Sequence, residues 1–594
     1  MSTVLGAAAM TASAAPALAQ VPPAPPPLAP PVPTREEVQR AAPERDERDR
    51  SRLNVQGGIE RAPCALDDAR FANVSFVLQS ATFAGLKGLA PADLTASYAD
   101  YVGKRVPIAV VCQIRDAAAT TLRQAGYVAA VQVPPQTIVD GIVKFDVLMA
   151  KLVSLRVRGD AGRSEKLIAR YLAKLQDREV FNEREAERYL LLARDLPGYD
   201  VFLTLRPAGG KPGEVIGEVT ATRQRYRIEA NVQNFGSKTV GRFGGLLSAE
   251  TYDLFGLGDR ATVGLFNTFD TREQTVLQAG YDARLGGEGL TFSVRGTRAW
   301  TRPDAGAADP LRSRTFVGSF EASYPFIRRQ RGSLRGSVGL DLIDQRLRFG
   351  PTPLTEDKAR IAYLKIDADV TDADSYLGGR GFNPVEPRFR AYGSLELRRG
   401  LDVFGASRDC GPAPFYPLCA GGVSLSRIEA DPTATVARFT AQGEYRPRPG
   451  LALVIQPRFQ YSLDPLISYE EYSGGSYTAG RGYDPGTIVG DSGIGFQSEV
   501  RIGSIAPKSA SSFAVQPFAL FDAAKVWNKS SPIPAIGADR LYSVGAGVRA
   551  VYGNRARIDL TLAQPLVRAG LLTRRGDPRL LLTLTTRLLP WNRQ

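Results

Sequence analysis

The chain has 594 residues, with 75 Lys and Arg, 61 Asp and Glu, a net charge of +14 and no histidine. The missing imidazole excludes histidine triads, histidine-bound zinc and imidazole general bases together. No run of eighteen or more apolar residues exists to form a membrane helix, and the arginines are scattered along the chain and not gathered on one patch, which sets nucleic-acid binding aside.

Residues 1–19 read as an export signal: Val4 to Ala15 is small and apolar, and Ala17-Leu18-Ala19 is an Ala-x-Ala cleavage pattern, although the charged n-region is missing. Residues 20–33 are rich in proline and alanine, an extended and semi-rigid spacer. Thr34 caps a charged segment reaching Arg52, with Glu36 and Glu37 in its first turn. Its apolar residues, Val38, Ala41 and Ala42, are too few to bury a face in a core. Composition therefore allows two readings, a disordered segment or a helix in a wet cavity. Residues 53–63 are a linker.

Residues 64–150 and 151–223 repeat one order of elements. In the first, Val74 to Leu78 is a strand, Pro91 to Tyr101 and Val106 to Ala125 are helical, and Val128 to Val133 and Ile142 to Leu148 are strands. In the second, Val153 to Val157 is a strand, Ser164 to Leu175 and Asn182 to Asp195 are helices, and Val201 to Leu205 and Val215 to Thr220 are strands. Two tandem β-α-α-β-β modules rarely arise by chance.

After Tyr226 the helices stop. Tyr226, Ile228, Ala230 and Val232 alternate with Arg227, Glu229, Asn231 and Gln233, and similar ladders recur at Leu290 to Ala299, Leu334 to Leu342, Leu451 to Tyr461 and Leu580 to Leu588. One apolar and one polar face, on strands near ten residues, is the pattern of a membrane barrel with a wet interior. Roughly 370 residues, at ~23 per strand and connection, make about 16 strands. An even, closed barrel also leaves no open edge in lipid.

Late in this region stands Gly480-Arg481-Gly482-Tyr483-Asp484-Pro485-Gly486, followed by Gly490-Asp491-Ser492-Gly493-Ile494-Gly495 and, further on, Leu520-Phe521-Asp522. Guanidinium does not deprotonate, so an arginine inside a barrel needs a fixed anion. Asp522 is the candidate: it points to the face opposite Phe521, which is free to meet lipid. Gly379-Arg380-Gly381-Phe382 is nearly identical locally but lacks the Gly-Asp-x-Gly strand start and a suitably spaced acid. The cysteines are Cys64, Cys112, Cys410 and Cys419; in an oxidising compartment two local disulfides are the economical reading, with a four-thiolate zinc site as competitor.

These residues resemble the outer-membrane transporters of two-partner secretion (TpsB), in the Omp85 superfamily. Gly126-Tyr127-Val128, Pro134-Pro135-Gln136 and Asp140-Gly141 are similar to the end of that family's first POTRA domain, where the Cys64 and Cys112 pair is similarly placed. Leu190-Leu191 with Leu196-Pro197-Gly198 is similar to the second POTRA domain. Asn234-Phe235-Gly236-Ser237 and Gly256-Leu257-Gly258-Asp259 are similar to the first barrel hairpin. The resemblance implies an α+β then all-β fold: two tandem POTRA domains, 64–150 and 151–223, then a 16-stranded antiparallel transmembrane β-barrel, 224–594, with a plug helix at 34–52. It further implies a loop latch of Arg481, Gly482 and Tyr483 against Asp522. Cys410 and Cys419 would close a small proline-rich extracellular loop.

The implied function is export of an unfolded haemolysin- or haemagglutinin-like exoprotein, bound through its N-terminal secretion domain. Outer-membrane lipid and, during biogenesis, the barrel assembly machinery are the other implied partners, and no cofactor is implied. Two alternatives stand beside it. An assembly insertase usually carries more POTRA copies and no plug, and a diffusion porin needs neither modules nor an inward arginine loop. An enzyme is disfavoured, since no Gly-x-Ser-x-Gly elbow and no P-loop occurs. The end of the chain departs from the family, because Trp591 is followed by a short tail.

Overall fold

The computed structural model describes residues 33–39, 55–56 and 64–590, except 177, 304–310, 373–374, 376–380, 412–421 and 530–538. The export signal, the spacer before residue 33, the charged segment after Gln39, most of the 53–63 linker, Arg380, Cys419 and the tail beyond Pro590 lie outside the described residues.

In the first module, Ile142–Met149 is the central strand, parallel to Ser80–Ala84 and antiparallel to Ala129–Gln132. The helix Val110–Gln124 lays Val110, Ile114, Ala118 and Leu122 on this sheet, a four-residue repeat that keeps one stripe inward. Two expectations are corrected. The helix expected from Val106 starts four residues later, because Arg105–Pro107 pairs with Ser75–Val77; a residue before proline is disfavoured from helical backbone. The segment expected as a helix over Pro91 to Tyr101 forms two 3-10 turns, Pro91–Ser97 and Ala99–Tyr101. Its buried residues Leu94 and Ser97 are three apart, which suits three residues per turn. Ser80–Ala84 is a further strand that the sequence reading does not include.

In the second module the sheet order is Val55–Gln56, Tyr199–Pro207, Glu214–Arg223, Lys151–Gly159. Val55–Gln56, from the linker, lies parallel on the edge of Tyr199–Pro207. Helices Glu165–Gln176 and Glu183–Arg194 cover one face, burying Leu167, Ile168, Tyr171, Leu172 and Leu175 from the first and Leu190 and Leu191 from the second. Asn182 caps the second helix, its side chain accepting from the Arg184 amide at 2.9 Å.

Sixteen antiparallel strands, from Tyr226–Gln233 to Arg579–Leu589, then form a closed barrel. The seam pairs Glu229 with Arg587 and Gln233 with Thr583, and Asn231 donates to Thr585 Oγ1 across it at 2.8 Å. With an even strand count, both ends of the barrel chain lie at the end that carries the modules. Connections alternate between that near end and the far end. The 463–491 loop is at the far end, whereas the 372–388 connection holding Gly381 and Phe382 is at the near end. Three strands, Leu311–Arg329, Gly332–Phe349 and Thr352–Thr371, have 18 to 20 residues, against the ten expected. Their outward apolar positions end near Phe316, Leu342 and Ala362, and charged positions carry them onward.

The second module is tied to the near end by polar contacts. Asp253 accepts from Arg163 N (2.7 Å), Ser164 Oγ (2.5 Å) and Arg223 Nη1 (2.8 Å). Asp195 receives Arg328 at 2.6 and 2.7 Å, and Arg188 donates to Pro325 O at 2.8 Å. Burial and the neighbouring Asp253 hold the Tyr199 phenol above its ordinary range.

Candidate functional site: a loop and a helix inside the barrel

The 463–491 connection folds back into the lumen. Two glycines give it the room it needs. Gly480 has φ +114°, a left-handed backbone that side-chain-bearing residues rarely adopt. A Cβ on Gly482 would stand 2.9 Å from Pro565 N and 3.1 Å from Gln564 C, so the loop lies directly against the wall.

Between them Arg481 is 8% exposed, and Asp522 is fully buried. The Arg481 amide donates to Asp522 Oδ2 at 2.8 Å, Nε to the same oxygen at 3.0 Å and Nη2 to Oδ1 at 2.6 Å. Both carboxylate oxygens are thus engaged by one planar fork, a geometry lysine cannot supply. Arg481 Nη1 also pairs with Glu499. Arg549 grips Glu499 at 2.8 and 2.9 Å and passes on to Asp559 at 2.7 Å. Phe521 is 38% exposed on the outer face. Tyr483 is buried, donating from its hydroxyl to Val567 O at 2.8 Å or Tyr542 O at 3.0 Å, and Arg579 holds the neighbouring Asp484 at 3.0 Å.

Two further arginine hubs bear on this loop and carry no motif in the sequence. Arg398 donates to Glu470 at 3.1 Å and to Asp341 at 2.7 Å, and Arg438 shares Glu470 at 2.7 Å. At the far mouth Arg427, from the 401–434 connection, pairs with Glu429 (2.9 Å), Glu471 (3.0 Å) and Asp491. Ser468 N donates to Ser426 Oγ at 3.0 Å, so one far-end connection lies on the other.

The described part of the charged N-terminal segment also lies in the lumen. It is a single helical turn, Arg35–Val38, with Gln39 as its C-cap. The Thr34 hydroxyl accepts from Glu37 N at 3.3 Å, while Glu37 accepts from Thr34 N at 3.2 Å, a reciprocal capping box. Its one described apolar residue, Val38, is fully buried beside Phe266, Val276 and Ala299 of the inner wall. Ser473 of the loop donates to Glu36 at 3.1 Å, and a Cβ on Gly486 would come within 2.7 Å of Thr34 Cγ2. Helix and loop therefore touch. Arg35, Asp341, Glu396, Arg398 and Glu470 line a cavity of ≈ 230 Å³ beside them.

Cys64 and Cys112 form a disulfide spanning 48 residues. With Asp67 they make a close donor group, but disulfide sulfurs are not thiolates and hold no zinc. Cys410 is also disulfide-bonded, and Cys419 lies outside the described residues.

Residues 215–550 match the family model of the haemolysin secretion/activation protein ShlB/FhaC/HecB, and residues 76–149 match that of the POTRA domain, ShlB-type. The heme/hemopexin transporter protein HuxB of Haemophilus influenzae is 26% identical over 196 residues, 32% of this chain and 34% of its own length. The match thus spans about a third of those curated relatives. Two solved structures share the fold. CdiB from Escherichia coli has a TM-score of 0.66 at 16% identity, and CdiB from Acinetobacter baumannii has 0.58 at 15%. Each alignment covers 90% of this chain and 94% of the other.

Proposed function

From its membership of the haemolysin secretion/activation protein family ShlB/FhaC/HecB, to which this chain belongs, we propose that it is the outer-membrane transporter of a two-partner secretion pair. Its barrel stands in the bacterial outer membrane, with the two POTRA domains in the periplasm and the far end at the cell surface. The POTRA domains capture the secretion domain of an unfolded exoprotein, in part by adding its extended chain to a sheet edge. The chain then threads through the lumen and folds outside.

One observation carries the reading: among the described residues the lumen holds a loop and a helical turn that reach its wall through ion pairs and hydrogen bonds, with only small apolar clusters beside them. Water and a passing polypeptide can replace such contacts, whereas an interlocked apolar filling would have to unpack. In this reading Arg481, Gly482 and Tyr483 with Asp522 are the latch that keeps the loop inward, and Arg35–Val38 belongs to a plug that leaves before transport.

Secretion of a co-expressed exoprotein, sought in the neighbouring reading frame, tests it. Removing one partner of a buried ion pair costs about 3–5 kcal/mol. Arg481→Ala is therefore expected to give a barrel that still assembles, seen as heat-modifiable mobility, but secretes at least ~10-fold less. Secretion at the wild-type level from that variant overturns the latch. Wild-type protein that moves no exoprotein overturns the transport reading.

A further inference from the structure

The outer surface of the three long strands carries a feature that export does not use. Along Leu311–Arg329 the outward positions from Phe316 to Phe326 are Phe316, Gly318, Phe320, Ala322, Tyr324 and Phe326. That is about 33 Å along the strand, or about 25 Å of bilayer at a tilt of about 40°. The next two outward residues toward the cell surface are Arg314 and Arg312, both exposed.

The neighbouring strand meets them with more cations. Arg312 lies directly opposite Arg348, and Arg314 directly opposite Arg346. On the other side Trp300 opposes Arg314, and Arg298 stacks over the Trp300 ring at 5.4 Å. Like charges facing each other across a strand pair are destabilising unless something neutralises them. The described acids on this face are already engaged: Asp344 by Arg360 at 2.8 Å, and Glu356 by Arg346 and Lys358 at 2.9 Å each. Among the described residues Arg298, Arg312, Arg314 and Arg348 have no carboxylate partner; the 304–310 connection, with Asp304 and Asp309, lies outside them.

We propose that this face is a docking site for a phosphorylated glycolipid of the outer leaflet, lipid A in its chemistry. Its phosphates sit between the facing arginines, and its acyl chains lie on Phe316, Phe320 and Val338, all well exposed. Charge complementarity selects the phosphate. The apolar belt starting at the next outward position below selects a lipid over a soluble anion, since neither feature alone would place arginine pairs at the edge of a hydrocarbon layer. The proposal rests on the outer-membrane placement above, with the far end outside.

The test uses the full-length protein in detergent, titrated with bisphosphorylated lipid A and with dephosphorylated lipid A. Three proteins are compared: wild type, Arg312→Gln/Arg314→Gln/Arg348→Gln, and a charge-matched control, Arg70→Gln/Arg105→Gln/Arg158→Gln, on the POTRA domains. The wild type and the control are expected to bind bisphosphorylated lipid A, and the strand variant at least ~10-fold more weakly. Equal losses in both variants, equal binding of the two lipids, no binding by the wild type, or competition by inorganic pyrophosphate at equal concentration each overturns the proposal. Secretion measured in parallel keeps the two readings apart, because a strand variant that loses lipid A yet secretes leaves transport intact.

Discussion

At Arg481 the backbone amide and the side chain of one residue bind the same carboxylate, so loop position and ion pair are fixed together. Gly482 sets how closely that can happen. Gly482→Ala places a methyl 2.9–3.1 Å from strand backbone and is expected to cost about 1–3 kcal/mol by overpacking. Limited proteolysis of the folded barrel checks this as faster cleavage within 463–491; an unchanged rate counts against the tight approach. Flanking glycines are what make Arg481 conspicuous in the sequence. Glu499 and Arg549 bear no such mark, because every second residue of a lumen-facing strand is polar; Arg427 and Glu470 lie in far-end connections that have no period to mark them, and partners far apart in sequence cannot be matched from alternation alone. Val38 is the converse case. One valine in a charged run gives no amphipathic signal, yet it meets an apolar patch of the wall that only the closed barrel assembles.

Periodicity locates most elements of the two modules within a few residues. It fails where local chemistry outweighs period. Pro107 turns the expected start of a helix into a strand, and a segment with few apolar residues adopts 3-10 turns. Ser80–Ala84 is easily overlooked because two of its five residues are small alanines. The first module also has a covalent restraint. Closing 48 residues by Cys64–Cys112 is worth about 4 kcal/mol in the chain-entropy account. Cys64→Ser/Cys112→Ser is thus expected to open residues 64–150 to protease at a lower temperature than in the wild type, while the barrel keeps its heat-modifiable mobility. Coincident loss of both would mean that the module and barrel unfold as one unit.

Over the whole molecule, the sixteen-strand estimate follows from strand length and chain length alone, and the closed barrel has that number. What fills the barrel is less legible, since a loop or helix in a wet pore needs no apolar face. If the segment containing Arg35–Val38 occludes the pore, deletion of residues 20–52 is expected to raise single-channel conductance in planar bilayers. Unchanged conductance would show that the loop alone closes the channel.

The seam between Tyr226–Gln233 and Arg579–Leu589 has a kinetic consequence. Those strands are neighbours in space but lie at opposite ends of the barrel sequence, so the last ladder forms only after the whole region has been made. Pairing that joins distant parts of a chain pays its loop-closure entropy before any reward and is slow. Until that ladder closes, both end strands offer free edges to any other strand nearby. A chain built this way is vulnerable in transit, and the time it spends unclosed sets how much escort it needs before it becomes an escort for others.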